Sequence, residues 1–131
     1  MTALADRRAE RDRLMALARA YADTLRARLP IRAVVLTGSL ARGDFNVWSD
    51  IDVLVVADAL PEKLPDRLAL LGADAPAGVQ AVGFTPSELR RAAQRANRLV
   101  LDAASHGVVL AGDPQVLATA CRQATALTRE G

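Results

Sequence analysis

The stretch LTGSLARGDFNVWSDIDVLVV, residues 36–56, holds the most informative residues of this 131-residue chain. Asp50 and Asp52 stand two positions apart at the start of an apolar run, and side chains two apart on a strand point to the same face. Two adjacent carboxylates repel one another unless a cation lies between them, and Mg²⁺ is commonly held by one or two carboxylates together with substrate phosphates. Taken alone, such a pair more often belongs to a strand end that faces solvent.

Gly38 and Ser39, upstream in the same stretch, strengthen the case for a ligand site. A glycine after a buried strand lets the backbone approach a ligand, and a following helical turn offers free N–H groups to a phosphate. Ser39 adds a hydroxyl, and Arg42 adds a cation within about one helical turn. An ordinary strand-to-helix turn would explain these residues equally well on their own.

Two common phosphate-binding motifs are absent from this stretch. Asp44 follows the second glycine, where a Walker loop requires Lys and then Ser or Thr, and the chain has no GxGxxG segment. A P-loop NTPase and a Rossmann dinucleotide site are therefore disfavoured.

Outward from this stretch, hydrophobic periodicity predicts alternating helices and strands in the order α-β-β-α-β-α-β-α. Residues 38–49 are predicted to form a turn, with or without a short helix, followed by a loop. Thr85, Pro86 and Glu88 have the spacing of a capping box at a helix start. The order predicts a single α/β or α+β domain over residues 1–131. Helices are predicted over residues 4–29, 61–72, 85–105 and 113–128, and strands over 31–37, 50–57, 78–84 and 108–110.

Composition narrows the class of protein further. Hydrophobic residues make up 51% of the chain and aromatic residues only 3%, so the core must be aliphatic. The net charge of +2 suits an anionic ligand such as a nucleotide, but it is not the concentrated basic patch of a nucleic-acid-binding protein. A lone cysteine, Cys121, excludes an intrachain disulfide. With no signal peptide and no apolar run near the roughly 18 residues of a membrane span, we expect a cytoplasmic protein without membrane contact.

The motifs together resemble those of the nucleotidyltransferase-fold superfamily, which includes DNA polymerase β and kanamycin nucleotidyltransferase. Gly38-Ser39 is followed by ten residues and then by Asp50-Ile51-Asp52. The neighbouring residues Ala41-Arg42-Gly43 and Ser49-Asp50 resemble those found beside the motif in the small, stand-alone minimal nucleotidyltransferase branch. VQAVGFTPSEL at residues 79–89 and HGVVLAGD at 106–113 extend the resemblance over roughly residues 15–113. It implies a single nucleotidyltransferase-type domain with a mixed four-stranded sheet packed by helices and a motif core over about residues 31–113.

The resemblance also implies roles for individual residues. Asp50 and Asp52 would be the catalytic carboxylates and would hold Mg²⁺ or Mn²⁺. Trp48, just before them, would either form a wall of the site or pack. The nucleotide, ATP or another NTP, would be bound by Gly38, Ser39, Arg42 and Ser49.

One position departs from the family's pattern. Members with a full metal site carry a third carboxylate on the third strand, at the residue that falls on Gln80 here. A glutamine brings no negative charge and cannot act as a base. Asp74 and Glu88 are the nearby alternatives, although Asp74 falls in a turn and Glu88 is expected to cap a helix.

Two functions from different classes follow. In the first, the protein transfers AMP from ATP to a hydroxyl on a helical HEPN-domain partner, as the antitoxin of a toxin–antitoxin pair. In the second, favoured by Gln80, it is a catalytically impaired binding module that neutralises such a partner by contact. Adenylylation of a small molecule is weaker, because no second domain would enclose that substrate. Whether the protein forms a homo-oligomer or a hetero-oligomer stays open.

Overall fold

A computed structural model describes residues 3–45 and 50–130, with side chains described as far as Thr125. These residues form six helices and four strands. Within the same ranges, no helix is long and apolar enough to cross a membrane. In chain order the elements are α1 (Ala3–Arg28), β1 (Ile31–Thr37), α2 (Gly38–Arg42), β2 (Ile51–Ala57), α3 (Leu64–Gly72), β3 (Val79–Phe84), α4 (Pro86–Gln94), α5 (Arg98–His106), β4 (Val108–Gly112) and α6 (Gln115–Glu130).

The four strands form one mixed sheet in the order β3-β2-β1-β4. β1 is antiparallel to both of its neighbours, β2 and β4. β2 and β3 are parallel, and α3 makes the crossover between them. The predicted fold class, a mixed four-stranded sheet packed by helices, is confirmed.

Both faces of the sheet are covered, and the two central strands are the most deeply buried. Val34, Leu36 and Val53 face a cluster that includes α1 and the end of α3. Val35 and Leu54 face a second cluster, built from α4, α5 and α6. Full burial of each such aliphatic side chain contributes roughly 1.5–3 kcal/mol relative to exposure. The core is mainly aliphatic, as the composition predicts, and it also contains the buried aromatic residues Tyr21 and Phe45.

The helix predicted over residues 85–105 is two helices, so that prediction was wrong. α4 ends at Gln94 and α5 begins at Arg98. Ala96 has a φ of 55°, which no helix accommodates, and the Asn97 side chain accepts hydrogen bonds from the N–H groups of Leu99 (3.0 Å) and Val100 (3.3 Å). A new helix start capped by Asn97 replaces the continuous helix.

The helix predicted from residue 61 also begins later than expected. α3 starts at Leu64, with Pro65 rather than Pro61 in its first turn. Proline is favoured there because the first N–H groups of a helix need no partner within it.

Candidate functional site

The end of β1 and the start of β2 lie side by side, and this brings the two halves of the motif together. In the antiparallel register of these strands, Thr37 pairs with Asp52. Gly38 and Ser39 continue directly from β1 into α2, and Asp50 immediately precedes β2. Both strands are apolar and β-branched, which favours their buried pairing and fixes this register.

Gly38 lies in contact with the Asp52 carboxylate. Its φ of +75° is a left-handed conformation that favours glycine. A Cβ built on Gly38 would overlap Asp52 Oδ2. The glycine is therefore required twice, once by the backbone conformation and once by the approach of the carboxylate.

The two carboxylates of the acidic pair repel one another. Asp52 is half-buried and Asp50 is exposed. Burial raises the pKa of Asp52, and the neighbouring charge of Asp50 raises it further, while Arg42 acts in the opposite direction. Hard oxygen donors with excess negative charge fit Mg²⁺ or Mn²⁺, so the residues present suit the metal that the motif implies.

Gln80 lies beside this pair on the neighbouring strand. The parallel register of β2 and β3 pairs Asp52 with Gln80, and Gln80 Nε2 donates a hydrogen bond to Asp50 Oδ2 over 3.2 Å. In the described part of the chain, no group of three or more His, Cys, Asp or Glu side chains could hold a metal. The site thus offers two carboxylates and one amide.

The two alternative acids are engaged elsewhere. Asp74 forms an ion pair with Arg28. Glu88 closes the predicted capping box with Thr85 and accepts a hydrogen bond from Arg67 Nη1 over 2.8 Å. Neither carboxylate contacts Asp50 or Asp52.

The remaining predicted ligands differ in their surroundings. Ser39 lies half-buried in α2. Arg42, predicted as a phosphate-binding cation, is held by the carboxylates of Asp102 (2.9 Å) and Asp44 (3.4 Å). Ser49 and Trp48 lie outside the described residues.

Asp102 on α5 belongs to this site, and sequence reasoning missed it. Its Oδ2 accepts hydrogen bonds from Thr37 Oγ1 (2.6 Å) and from the Gly38 N–H (2.8 Å), and its Oδ1 accepts one from Arg42 Nη1 (2.9 Å). The Gly38 N–H, expected to be free for a phosphate, is therefore already used. Burial acts to raise the pKa of Asp102, but the hydrogen bonds from Thr37, Gly38 and Arg42 prevail and lower it to about 2. No sequence motif marks Asp102, because its partners Thr37 and Gly38 lie 65 and 64 residues away along the chain.

Solved structures with the same fold are known. A protein from Sulfolobus solfataricus assigned as a nucleotidyltransferase is 23% identical, with a TM-score of 0.61, over 79% of this chain and 84% of that one. The crystal structure of a toxin-antitoxin with AMP-PNP is 22% identical, with a TM-score of 0.61, over 86% of this chain and 87% of that one. A mutant of the toxin-antitoxin MntA-HpeT is 20% identical, with a TM-score of 0.55, over 92% and 87% of the two chains. At these identities the likeness shows the fold.

The family assignment comes from a model of the nucleotidyltransferase domain, which matches residues 18–101. No curated protein matches the chain significantly. The matched range contains the Gly38-Ser39 turn, the acidic pair and Gln80, and it ends one residue before Asp102. With the fold and the site in agreement, the chain belongs to the nucleotidyltransferase domain family.

Proposed function

We propose that this protein is a metal-dependent nucleotidyltransferase that transfers AMP from ATP to a hydroxyl group. The observation that carries the proposal is the contact of Asp52 with the Gly38 backbone, together with an Asp50 charge close enough to raise the pKa of Asp52. Two carboxylates and a Gly-Ser turn at the end of the sheet support this proposal. A triphosphate and a divalent cation are the ligands that such a set of groups suits.

Asp50 and Asp52 would hold Mg²⁺ or Mn²⁺. When bound, that metal would supply positive charge that offsets the negative charge developing as pyrophosphate leaves. Ser39, with its hydroxyl beside the turn, would donate to a phosphate oxygen. Arg42 would place its positive charge near the same phosphates while Asp102 holds it in position. These residues would act by orientation and by electrostatic stabilisation.

The acceptor we propose is a hydroxyl on a helical HEPN-type partner protein, with which this chain would form a cytoplasmic toxin–antitoxin pair. The resemblance of its motifs to those of the minimal nucleotidyltransferase branch supports this assignment. Two of the solved structures that share the fold are toxin-antitoxins, and one of these was determined with AMP-PNP. The exposed position of Asp50 would leave the site open to a macromolecular acceptor.

A second function, a binding module without transfer, is favoured by Gln80. The amide of Gln80 donates to Asp50, where a third carboxylate would otherwise help to bind metal and activate the acceptor. A glutamine cannot act as the base that takes the proton from the attacking hydroxyl group. If transfer does occur, we therefore expect it to be slow.

Incubation of the protein with labelled ATP, Mg²⁺ and the candidate partner encoded beside it tests both functions. We expect label to move to the partner with the wild-type protein and not with Asp52→Asn. Asp58→Asn is the matched control, because Asp58 follows the opposite end of β2 and its ion pair within the described residues is with exposed Arg32. Transfer that persists in Asp52→Asn would contradict the assigned site. Partner binding without any transfer by the wild type would favour the binding module.

A further inference from the structure

Asp102 connects α5 to the turn that carries the site. The two oxygens of its carboxylate have different partners: Oδ2 accepts from the Thr37 hydroxyl and the Gly38 N–H, and Oδ1 accepts from Arg42. Thr37 is fully buried, and Asp102 is the acceptor for its hydroxyl. A single side chain therefore fixes the last residue of β1, the first residue of α2 and the last residue of α2.

The charge of Asp102 is not needed for the backbone part of this network. An amide oxygen at this position could accept from Thr37 and Gly38 without adding negative charge. The negative charge also works against the site, because it adds to the repulsion that Asp52 already experiences from Asp50. What a carboxylate provides in addition is the ion pair with Arg42.

The hydrogen bonds of Asp102 control the position of Gly38. The Gly38 backbone lies against the Asp52 carboxylate, in a φ region that costs non-glycine residues about 1–2 kcal/mol. A rotation of this turn would move both Gly38 and Ser39 relative to Asp52. Displacements of about 1 Å at such sites reduce rates roughly 100-fold.

We propose that Asp102 is a positioning residue of the transfer site: it holds the Gly38-Ser39 turn against Asp52 through Oδ2 and orients Arg42 through Oδ1. This inference rests on the proposed function for its catalytic consequence. The arrangement it describes concerns this chain's own residues and can be measured without transfer.

Two variants at this position separate the two halves of the proposal. Asp102→Asn and Asp102→Ala remove the same charge, but only the asparagine can still accept from Thr37 and Gly38. A difference between the two variants therefore measures positioning of the turn, and a shared loss measures the charge. Asp58→Asn again serves as the control, since it breaks an exposed ion pair at the other end of the sheet.

Three readouts apply to each variant. For Asp102→Ala we expect hydrogen exchange at the Gly38 amide to be accelerated at least about tenfold and Mn²⁺ affinity to fall by about tenfold. We also expect kcat for AMP transfer to fall by about 100-fold, with KM for ATP changed less than about threefold. Asp102→Asn should keep Gly38 protected and lose about tenfold in kcat. Urea unfolding confirms that each variant is native, and Thr37→Val replaces Asp102→Ala if that variant does not fold.

The outcomes distinguish this inference from the proposed function. Wild-type Gly38 exchange and Mn²⁺ affinity in Asp102→Ala would overturn the positioning role, whatever the activity. Equal losses in Asp102→Asn and Asp102→Ala would overturn the role of Oδ2 in holding the turn, because only the charge beside Arg42 would then matter. If the wild type transfers no AMP and binds no ATP, the proposed function fails, while Gly38 exchange and Mn²⁺ binding still decide the role of Asp102.

Discussion

At the scale of single residues, Gly38 and Gly43 form a natural comparison, since both have positive φ but different surroundings. A Cβ at Gly38 would overlap the Asp52 carboxylate, whereas a Cβ at Gly43 would meet nothing within 4 Å. We expect Gly43→Ala to lower the free energy of unfolding by about 1–2 kcal/mol, which is the conformational cost alone. Gly38→Ala should cost more, about 2–4 kcal/mol, and should also abolish Mn²⁺ binding because Asp52 is displaced. Chemical denaturation and metal titration of both variants check this, and equal effects in the two would contradict the contact.

A carboxylate at position 80 should change stability and metal affinity in opposite directions. A carboxylate there would stand in register with Asp52 and beside Asp50. Without metal, we expect Gln80→Asp to lower the free energy of unfolding by about 1 kcal/mol through like-charge repulsion. With Mn²⁺, the same change should raise metal affinity by tenfold or more, because a third hard oxygen ligand becomes charged. The control is Gln123→Asp on α6, which adds the same charge at an exposed position away from the acidic pair. Unchanged Mn²⁺ affinity in Gln80→Asp would show that residue 80 does not face the metal.

At the scale of elements, the break between α4 and α5 can be tested through Ala96. Its φ of 55° is unfavourable for alanine and acceptable for glycine. We expect Ala96→Gly to raise the free energy of unfolding by about 0.5–1 kcal/mol. Ala104→Gly, at an exposed position inside α5, should have the opposite sign and cost about 1 kcal/mol. Thermal or urea unfolding decides the matter, and destabilisation by both changes would indicate a continuous helix through residue 96.

The same break shows which helix and strand boundaries a sequence pattern can predict and which it cannot. β1 begins and ends at the predicted residues because an apolar, β-branched run has few other ways to be buried. Asn97 has no such local signature, since a polar residue within a helical pattern is equally compatible with an exposed face. The capping box at Thr85 was predictable because its two residues lie within one turn. The capping box is marked by two residues at a fixed spacing, whereas the α4–α5 junction depends on the single cap residue Asn97, which the sequence pattern does not distinguish.

At the scale of the whole molecule, the site is assembled from segments that are distant in sequence. The site residues come from five elements that meet at one end of the sheet: β1, α2, β2, β3 and α5. The register of the sheet sets how the residues on its strands align. The acidic pair and the Gly-Ser turn were predictable because both carry motif spacing. Asp102 was not, since it reaches the site only when α5 packs across β1 and α2. Gln80 lies beside Asp52 because β2 and β3 pair in parallel in this register.

Folding of the whole chain also depends on the ionisation of Asp102, and this makes its stability pH-dependent. The pKa of Asp102 is lowered in the folded protein to about 2 from 3.8. A lowered pKa means that its stabilisation is fully present above pH 3.8 and is lost as the pH falls towards 2. The shift corresponds to at most about 2.5 kcal/mol. Because the Arg42 side chain is 37% exposed, solvent screening reduces the expected value to about 1–2 kcal/mol.

We therefore expect Asp102→Asn to be less stable than the wild type at pH 7 by about 1–2 kcal/mol, with the difference shrinking as the pH falls from 4 towards 2. The reason is that protonation of Asp102 in the wild type removes the charge that the asparagine already lacks. Urea unfolding at a series of pH values measures both curves, with Asp58→Asn as the exposed ion-pair control, for which we expect a change of less than about 1 kcal/mol. A difference between Asp102→Asn and the wild type that is constant from pH 7 to pH 2 would mean that the carboxylate stabilises the fold through packing rather than through its charge.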